Sequence, residues 1–201
     1  MRVFSKLISH LFNPIFAPVL GTALYFLISP KYNPPEAIKL VLLAVLILTV
    51  VIPFISYLLL KNLGWVSNIE LKETKERKLP LIVCIILTYI TILKIAPASY
   101  SAELYFYFVG ILGALISALI MVYLDFKISL HAMGISGLTT FIIGLSIHYE
   151  INITIGLAAL ILCVGSVATA RLYLKSHKGL EIIAGLFIGV ITQFITFGYW
   201  L

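Results

Sequence analysis

The stretch LYFYFVGILGALISALIMVYLD occupies positions 104–125 and contains no charged side chain before Asp125 at its end. The hydrocarbon core of a bilayer is about 30 Å thick, so an α-helix needs about 20 apolar residues to cross it. The stretch has that length and that composition. It predicts a transmembrane helix, and with it a chain that folds in a membrane rather than in water.

Six further apolar stretches precede and follow this one. They lie at 12–29, 37–60, 79–96, 130–148, 153–170 and 181–200. We therefore predict that residues 1–201 form a single all-α integral membrane domain, a polytopic bundle of transmembrane helices with about six to seven spans. The count is six if either 104–125 or 130–148 is re-entrant, because only a short segment separates them.

The composition of the chain excludes several other classes of protein. Of its 201 residues, 62% are hydrophobic and 11% are charged, and the mean hydropathy is +1.13. Soluble domains are about 45–50% apolar and about 25% charged. At this size, about 30% of the surface of the unfolded chain stays exposed to water after folding. The sequence is therefore not that of a soluble enzyme, a disordered chain or a disulfide-stapled secreted domain. Cys84 and Cys163 lie in apolar stretches and form no metal or redox motif.

Basic residues are distributed unequally between the two sides of the predicted bundle. Seven crossings place the N-terminal residues and the loops at 61–78, 126–130 and 171–180 on one side, which we call the motif face. Arg2 and Lys6 precede a first stretch that we expect to be a retained helix rather than a signal peptide. The motif face carries eleven Lys and Arg residues and the opposite face carries three. The positive-inside rule therefore places the motif face in the cytoplasm.

The polar residues that could act in catalysis or bind a ligand come from the three loops of the motif face. His177 and Glu181 are four residues apart, so on a helix they share a face and the carboxylate can bind one imidazole nitrogen. Arg171 offers a planar guanidinium for a phosphate, and His131 offers a second proton-transfer group. The segment 70–80 adds further cations. Two histidines, a carboxylate and several cations are the components of metal-free phosphoryl transfer.

The last of these loops resembles a signature of the type 2 phosphatidic acid phosphatase superfamily, the lipid phosphate phosphatases. Arg171-x5-His177-x3-Glu181 is similar to the third signature of that family, Ser-Arg-x5-His-x3-Asp. Glu replaces the family's Asp, and Ala170 replaces its Ser. The resemblance, which is to divergent bacterial-type members, covers roughly residues 60–200.

The other two loops look like the remaining signatures of the family, in the same order. Ile128–His131, with the sequence ISLH, resembles the second signature, Pro-Ser-Gly-His. The segment Lys72–Pro80 is similar to the first, Lys-x6-Arg-Pro, although Leu79 stands at the Arg position. Arg77 or Lys78 would have to replace that arginine from a shifted position.

The resemblance implies a specific mechanism. His177 would attack phosphorus and form a phosphohistidine, Glu181 would orient it, and His131 would protonate the leaving alkoxide and then activate water. The phosphoryl oxygens would be bound by Lys72, Arg77, Ser129 and Arg171. The family needs no metal or other cofactor. Its substrates are lipid phosphates and pyrophosphates, such as phosphatidate, phosphatidylglycerol phosphate and polyprenyl pyrophosphates.

Alternatives to this hypothesis stay open from the sequence. The chain could be an inactive phosphatase-like scaffold, or a small carrier of lipids or solutes. Bacterial members of the family usually place the site on the periplasmic side of the inner membrane, whereas the Lys and Arg distribution indicates the cytoplasm. We expect membrane lipids and a lipid phosphate as partners and no nucleic acid, and the oligomeric state is open. His10 and His148 have no partner pattern, and Gly185-x3-Gly189 indicates close helix packing.

Overall fold

The computed structural model describes residues 2–67 and 73–201, and these residues are predominantly helical. Short 3₁₀ turns lie at Pro14–Phe16 and Lys75–Arg77, and a π-helical turn lies at Ile47–Val51. The α-helices are α1 (Arg2–Leu11), α2 (Ala17–Ile28), α3 (Pro35–Leu46), α4 (Ile52–Asn62), α5 (Lys78–Lys94), α6 (Ala102–Tyr123), α7 (Leu130–His148), α8 (Thr154–Tyr173) and α9 (Gly179–Phe197).

Six helical segments of the described chain are long and apolar enough to cross a membrane. They are Arg2–Ile28, Pro35–Asn62, α6, α7, α8 and α9. The prediction of an all-α polytopic membrane protein is confirmed. The predicted stretch 79–96 forms α5, which is not among these six segments. Its 17 residues extend about 25 Å, and it packs along α6. The stretches 104–125 and 130–148, by contrast, form helices of 22 and 19 residues.

The first helical segment begins about ten residues earlier than the sequence predicts. Helix α1 contains five polar residues, which lower its mean hydropathy, so its sequence is not a continuous apolar stretch. Its apolar side chains, such as Phe4 and Leu7, are exposed, whereas Ser5 and Ser9 are buried. The helix ends before Asn13, whose side chain accepts a hydrogen bond from the amide of Ile15. Helix α1 therefore turns its apolar side outward, as expected for a helix surrounded by lipid.

The second segment contains a local irregularity next to a proline. Pro53 has no amide hydrogen and cannot continue the regular helical hydrogen bonding of the preceding turn. The chain forms a single π-helical turn at Ile47–Val51 just before it, a common way to accommodate such a break. The hydroxyl of Thr49 donates to the carbonyl of Val45 within this region.

Close packing of α7 against α9 brings two of the motif-face loops together. A Cβ atom added to Gly185 would lie 2.5 Å from the carbonyl oxygen of Ser129, and one added to Gly189 would overlap Ser136. The predicted role of these glycines in helix packing is confirmed. At the end of this contact, the amide of Ser129 donates to the carbonyl of Glu181 at 3.1 Å. The start of α7 is therefore fixed against the start of α9.

A buried carboxylate connects three loops at the opposite face. Glu103 is 1% exposed, and its Oε1 lies 2.5 Å from Nζ of Lys31. Tyr149 donates to the same oxygen at 2.8 Å, and Ser101 donates to Oε2 at 2.9 Å. Nε2 of His148, a residue with no partner pattern in the sequence, lies 3.4 Å from Oε1. This cluster links the chain before α3 to the start of α6 and the end of α7.

We expect Glu103→Gln to lower the thermal stability of the purified protein. The amide weakens charge-assisted hydrogen bonds at a buried site, which should lower the free energy of unfolding by about 1–3 kcal/mol. Lys31 is half exposed, so water can solvate its ammonium group and reduce this loss. The midpoint of thermal unfolding in detergent measures the effect. Glu36→Gln is the matched control, because Glu36 pairs with Lys39 on the exposed surface and should change little. Equal midpoints for the two variants would contradict a stabilising role of the cluster.

Candidate active site

Helix α9 positions Glu181 against His177. Glu181 lies in the first turn of the helix, where its Oε2 accepts a hydrogen bond from the amide of Lys178 at 3.2 Å. The same oxygen lies 2.8 Å from Nδ1 of His177. The contact expected from the four-residue spacing is therefore present, although His177 precedes the helix instead of lying on it. One carboxylate both caps α9 and binds the imidazole.

The hydrogen bonds of His177 define its tautomer. Its Nδ1 also lies 3.2 Å from the carbonyl oxygen of Lys127. A carboxylate and a carbonyl can only accept, so Nδ1 carries the hydrogen. The lone pair is then on Nε2, which is the atom available to act as a nucleophile or base.

The surroundings of His177 favour its neutral form. The side chain is 2% exposed. Burial lowers the pKa of His177 below its ordinary value of 6.5, and the positive charges of Arg77 and Arg171 lower this pKa further, against the opposing effect of Glu181. His177 therefore keeps a free lone pair at neutral pH.

Nitrogen-15 NMR of histidine-labelled protein should show a neutral Nδ1–H tautomer for His177. Because its pKa is lowered, the neutral form should persist at about pH 6, where an ordinary histidine is mostly charged. The signal is assigned by its absence in His177→Ala. An imidazolium at neutral pH, or a hydrogen on Nε2, would contradict the geometry of the pair.

Two buried arginines accompany this histidine. Arg77, from the 3₁₀ turn before α5, donates through Nη1 to the carbonyl of Ile128 at 2.8 Å. Arg171, from the last turn of α8, lies with its Nη1 3.5 Å from the hydroxyl of Ser9. Burial, and then the charge of Arg171, lower the pKa of Arg77 to about 10, so it stays charged at neutral pH. An anion bound between the two guanidinium groups would offset their mutual repulsion.

The remaining predicted site residues differ in their placement. His131 lies in the first turn of α7, with Nε2 3.1 Å from the carbonyl oxygen of Ser9. Ser129 is fully buried, and its hydroxyl oxygen caps α7 by accepting a hydrogen bond from the amide of Ala132. Phosphate binding by Ser129 stays a prediction. Lys72 lies outside the described residues.

A cavity of about 390 Å³ begins at these side chains and extends into the bundle. His131, Arg77, Arg171 and His177 line its polar end. Gln193 also lines the cavity, and it lies 14 residues beyond the start of α9, or about 21 Å along the helix. Most of the wall between is apolar. We call this space the inner cavity.

A second, more open space of about 470 Å³ also has His177 in its wall. We call it the outer cleft. Its wall contains Glu181 and three lysines, Lys127, Lys175 and Lys178. His177 lines both spaces and is therefore in contact with a mainly apolar cavity and with a basic surface.

Sequence reasoning missed the contribution of α1 to this site. Ser9 is buried between His131 and Arg171, and Lys6 and His10 line the inner cavity. The spacing of Ser5 and Ser9 by four residues places both serines on one face of a helix, and this is the signal that could have identified the face.

Comparisons of the chain with protein-family models, with curated proteins and with solved structures give no match. The fold itself defines the class, an integral membrane protein built as a helical bundle. Within residues 2–67 and 73–201, no three His, Cys, Asp or Glu side chains lie close enough together to hold a metal ion.

Proposed function

We propose that this protein is a membrane-embedded lipid phosphatase of the type 2 phosphatidic acid phosphatase class, which hydrolyses a phosphate monoester or a pyrophosphate of a lipid. The observation that carries the proposal is the His177–Glu181 pair, buried beside Arg77 and Arg171 at the polar end of the inner cavity. This combination provides a nucleophile, an orienting carboxylate and two phosphate-binding cations next to an apolar space.

In the first half of the reaction, Nε2 of His177 attacks phosphorus and the bond from phosphorus to the leaving oxygen breaks. The negative charge of the bound phosphate favours protonation of His131, which then gives this proton to the leaving oxygen. Glu181 stabilises the positive charge on the phosphorylated imidazole through Nδ1–H. The guanidinium groups of Arg77 and Arg171 bind the phosphoryl oxygens as charge develops.

In the second half, water attacks the phosphohistidine. Neutral His131 takes a proton from this water, the phosphorus–nitrogen bond breaks, and the electron pair returns to His177. Inorganic phosphate is released and both histidines regain their starting states. The same residue thus serves first as acid and then as base.

The inner cavity supports a lipid as the substrate. Its wall is mainly apolar and it reaches deep into the bundle, as a hydrocarbon chain would require. The basic residues of the motif face attract anionic head groups. Candidate substrates are phosphatidate, phosphatidylglycerol phosphate and polyprenyl pyrophosphates, and the proposed location is the bacterial inner membrane.

Purified protein in detergent should release inorganic phosphate from at least one lipid of a panel that contains these three substrates. Vanadate, which mimics the trigonal phosphoryl group of the transition state, should inhibit the reaction competitively and raise the thermal midpoint, because a ligand that binds only the folded state stabilises it. Addition of a chelator to the assay tests whether a metal ion contributes. Absence of both phosphate release and vanadate binding would overturn the proposal in favour of a scaffold or carrier.

A further inference from the structure

Helix α1 buries its two serines and exposes most of its apolar side chains. Val3, Phe4 and Leu7 are more than half exposed, whereas Ser5 and Ser9 are buried. In a soluble protein an amphipathic helix would have the reverse arrangement. Two buried serines in a helix with an apolar exterior indicate that α1 packs on polar groups inside the bundle.

Ser9 contacts two of the candidate site residues through different atoms. Its carbonyl oxygen lies 3.1 Å from Nε2 of His131, and its hydroxyl oxygen lies 3.5 Å from Nη1 of Arg171. Both partners are far away in sequence, so the contacts depend on the tertiary fold. Ser9 also lines the inner cavity together with His177.

We propose that Ser9 is a positioning residue of the phosphatase site, and that α1 is a fourth element of this site besides the three loops. The inference rests on the proposed function. It adds a residue that lies outside the segment 60–200 on which the family resemblance depends, and it assigns α1 a role in binding the lipid phosphate.

The two contacts of Ser9 have distinct consequences. A carbonyl can only accept, so it fixes the hydrogen of neutral His131 on Nε2 and leaves Nδ1 to exchange the catalytic proton. The hydroxyl accepts from Arg171 and restrains the guanidinium on the side of the inner cavity. Loss of this restraint should weaken the binding of a phosphoryl group.

Ser9→Ala tests the hydroxyl contact. We expect the KM for the lipid phosphate and the Kd for vanadate to rise roughly three- to tenfold, the effect of losing one hydrogen bond of ordinary strength, because the contact with Arg171 is long at 3.5 Å. The change in kcat should be smaller. Ser9→Thr retains the hydroxyl and should restore most of the affinity. Ser5→Ala is the matched control, because Ser5 is a buried serine one turn earlier on the same face.

A double-mutant cycle with Arg171→Lys separates positioning from general packing. If Ser9 acts through the guanidinium, Ser9→Ala should have little further effect on vanadate affinity in the Arg171→Lys background. Full additivity in the cycle, or equal affinities of Ser9→Ala, Ser5→Ala and wild type, would overturn the inference while the phosphatase activity of the wild type stands. A wild type that neither hydrolyses lipid phosphates nor binds vanadate would overturn the proposed function, and this inference with it.

Discussion

Replacement of His177 by Ala should abolish phosphate release from lipid substrates, with a fall in kcat of roughly 10⁴- to 10⁶-fold. Losses of this size accompany removal of a catalytic nucleophile, because the remaining groups can still bind the substrate but cannot form the covalent intermediate. His177 has the required properties, with a lone pair on Nε2, a carboxylate on Nδ1 and a lowered pKa. The measurement is phosphate release from the lipid panel.

The control for this variant is His148→Ala, which removes a histidine at the opposite face of the same bundle. It should retain most of the activity, although some stability is lost with the contact to Glu103. Denaturation of wild type in alkaline detergent during turnover with a substrate that carries phosphorus-32 in the transferred phosphate should trap a base-stable, acid-labile phosphoprotein that His177→Ala lacks. Unchanged turnover by His177→Ala would exclude the phosphohistidine mechanism while the class of lipid phosphatases could still apply.

Arg171→Ala should lower kcat/KM by roughly 10²- to 10³-fold, the typical cost of removing one group that stabilises charge in a transition state. Arg171 is 6% exposed and lines the same cavity as His177. Charge on the phosphoryl oxygens increases as the bond to the leaving group breaks, so kcat should fall in addition to the rise in KM. Vanadate affinity should fall in parallel.

The matched control for Arg171→Ala is Lys175→Ala, which removes a cation on the exposed wall of the outer cleft. Activity should then change little, and any change should diminish at high salt, because exposed charges are screened. Arg171→Lys retains the charge but not the planar fork, and should recover only part of the activity. Equal losses of activity for Arg171→Ala and Lys175→Ala would mean that Arg171 acts only by long-range attraction of anions and does not bind the phosphoryl group directly.

The membrane fold could be predicted from the sequence because each apolar stretch carries its own signal. A continuous apolar segment of about 20 residues is stable in a bilayer as an α-helix, because a helix satisfies its own backbone hydrogen bonds. Helix α1 lacks this signal, because five of its ten residues are polar, and two of them, Ser5 and Ser9, are buried in the protein. Its position depends on contacts with α8 that no local pattern reports.

The candidate site shows the same division between local and long-range information. The contact of Glu181 with His177 follows from a spacing of four residues, which a helical pattern reveals. The approach of Arg77 to the carbonyl of Ile128 depends on the 3₁₀ turn before α5 and on the fold, because the two residues are 51 positions apart. Ser9 lies 162 positions from Arg171, so only the folded bundle brings them together.

The position of His177 in the walls of both the inner cavity and the outer cleft has a consequence for the direction of the proposed reaction. The lipid product would remain in the hydrocarbon phase, whereas phosphate would leave through the cleft lined by Lys127, Lys175 and Lys178. The two products would then enter different phases and would rarely meet again at the same histidine. Such compartmentation would oppose resynthesis of the substrate without altering the equilibrium constant.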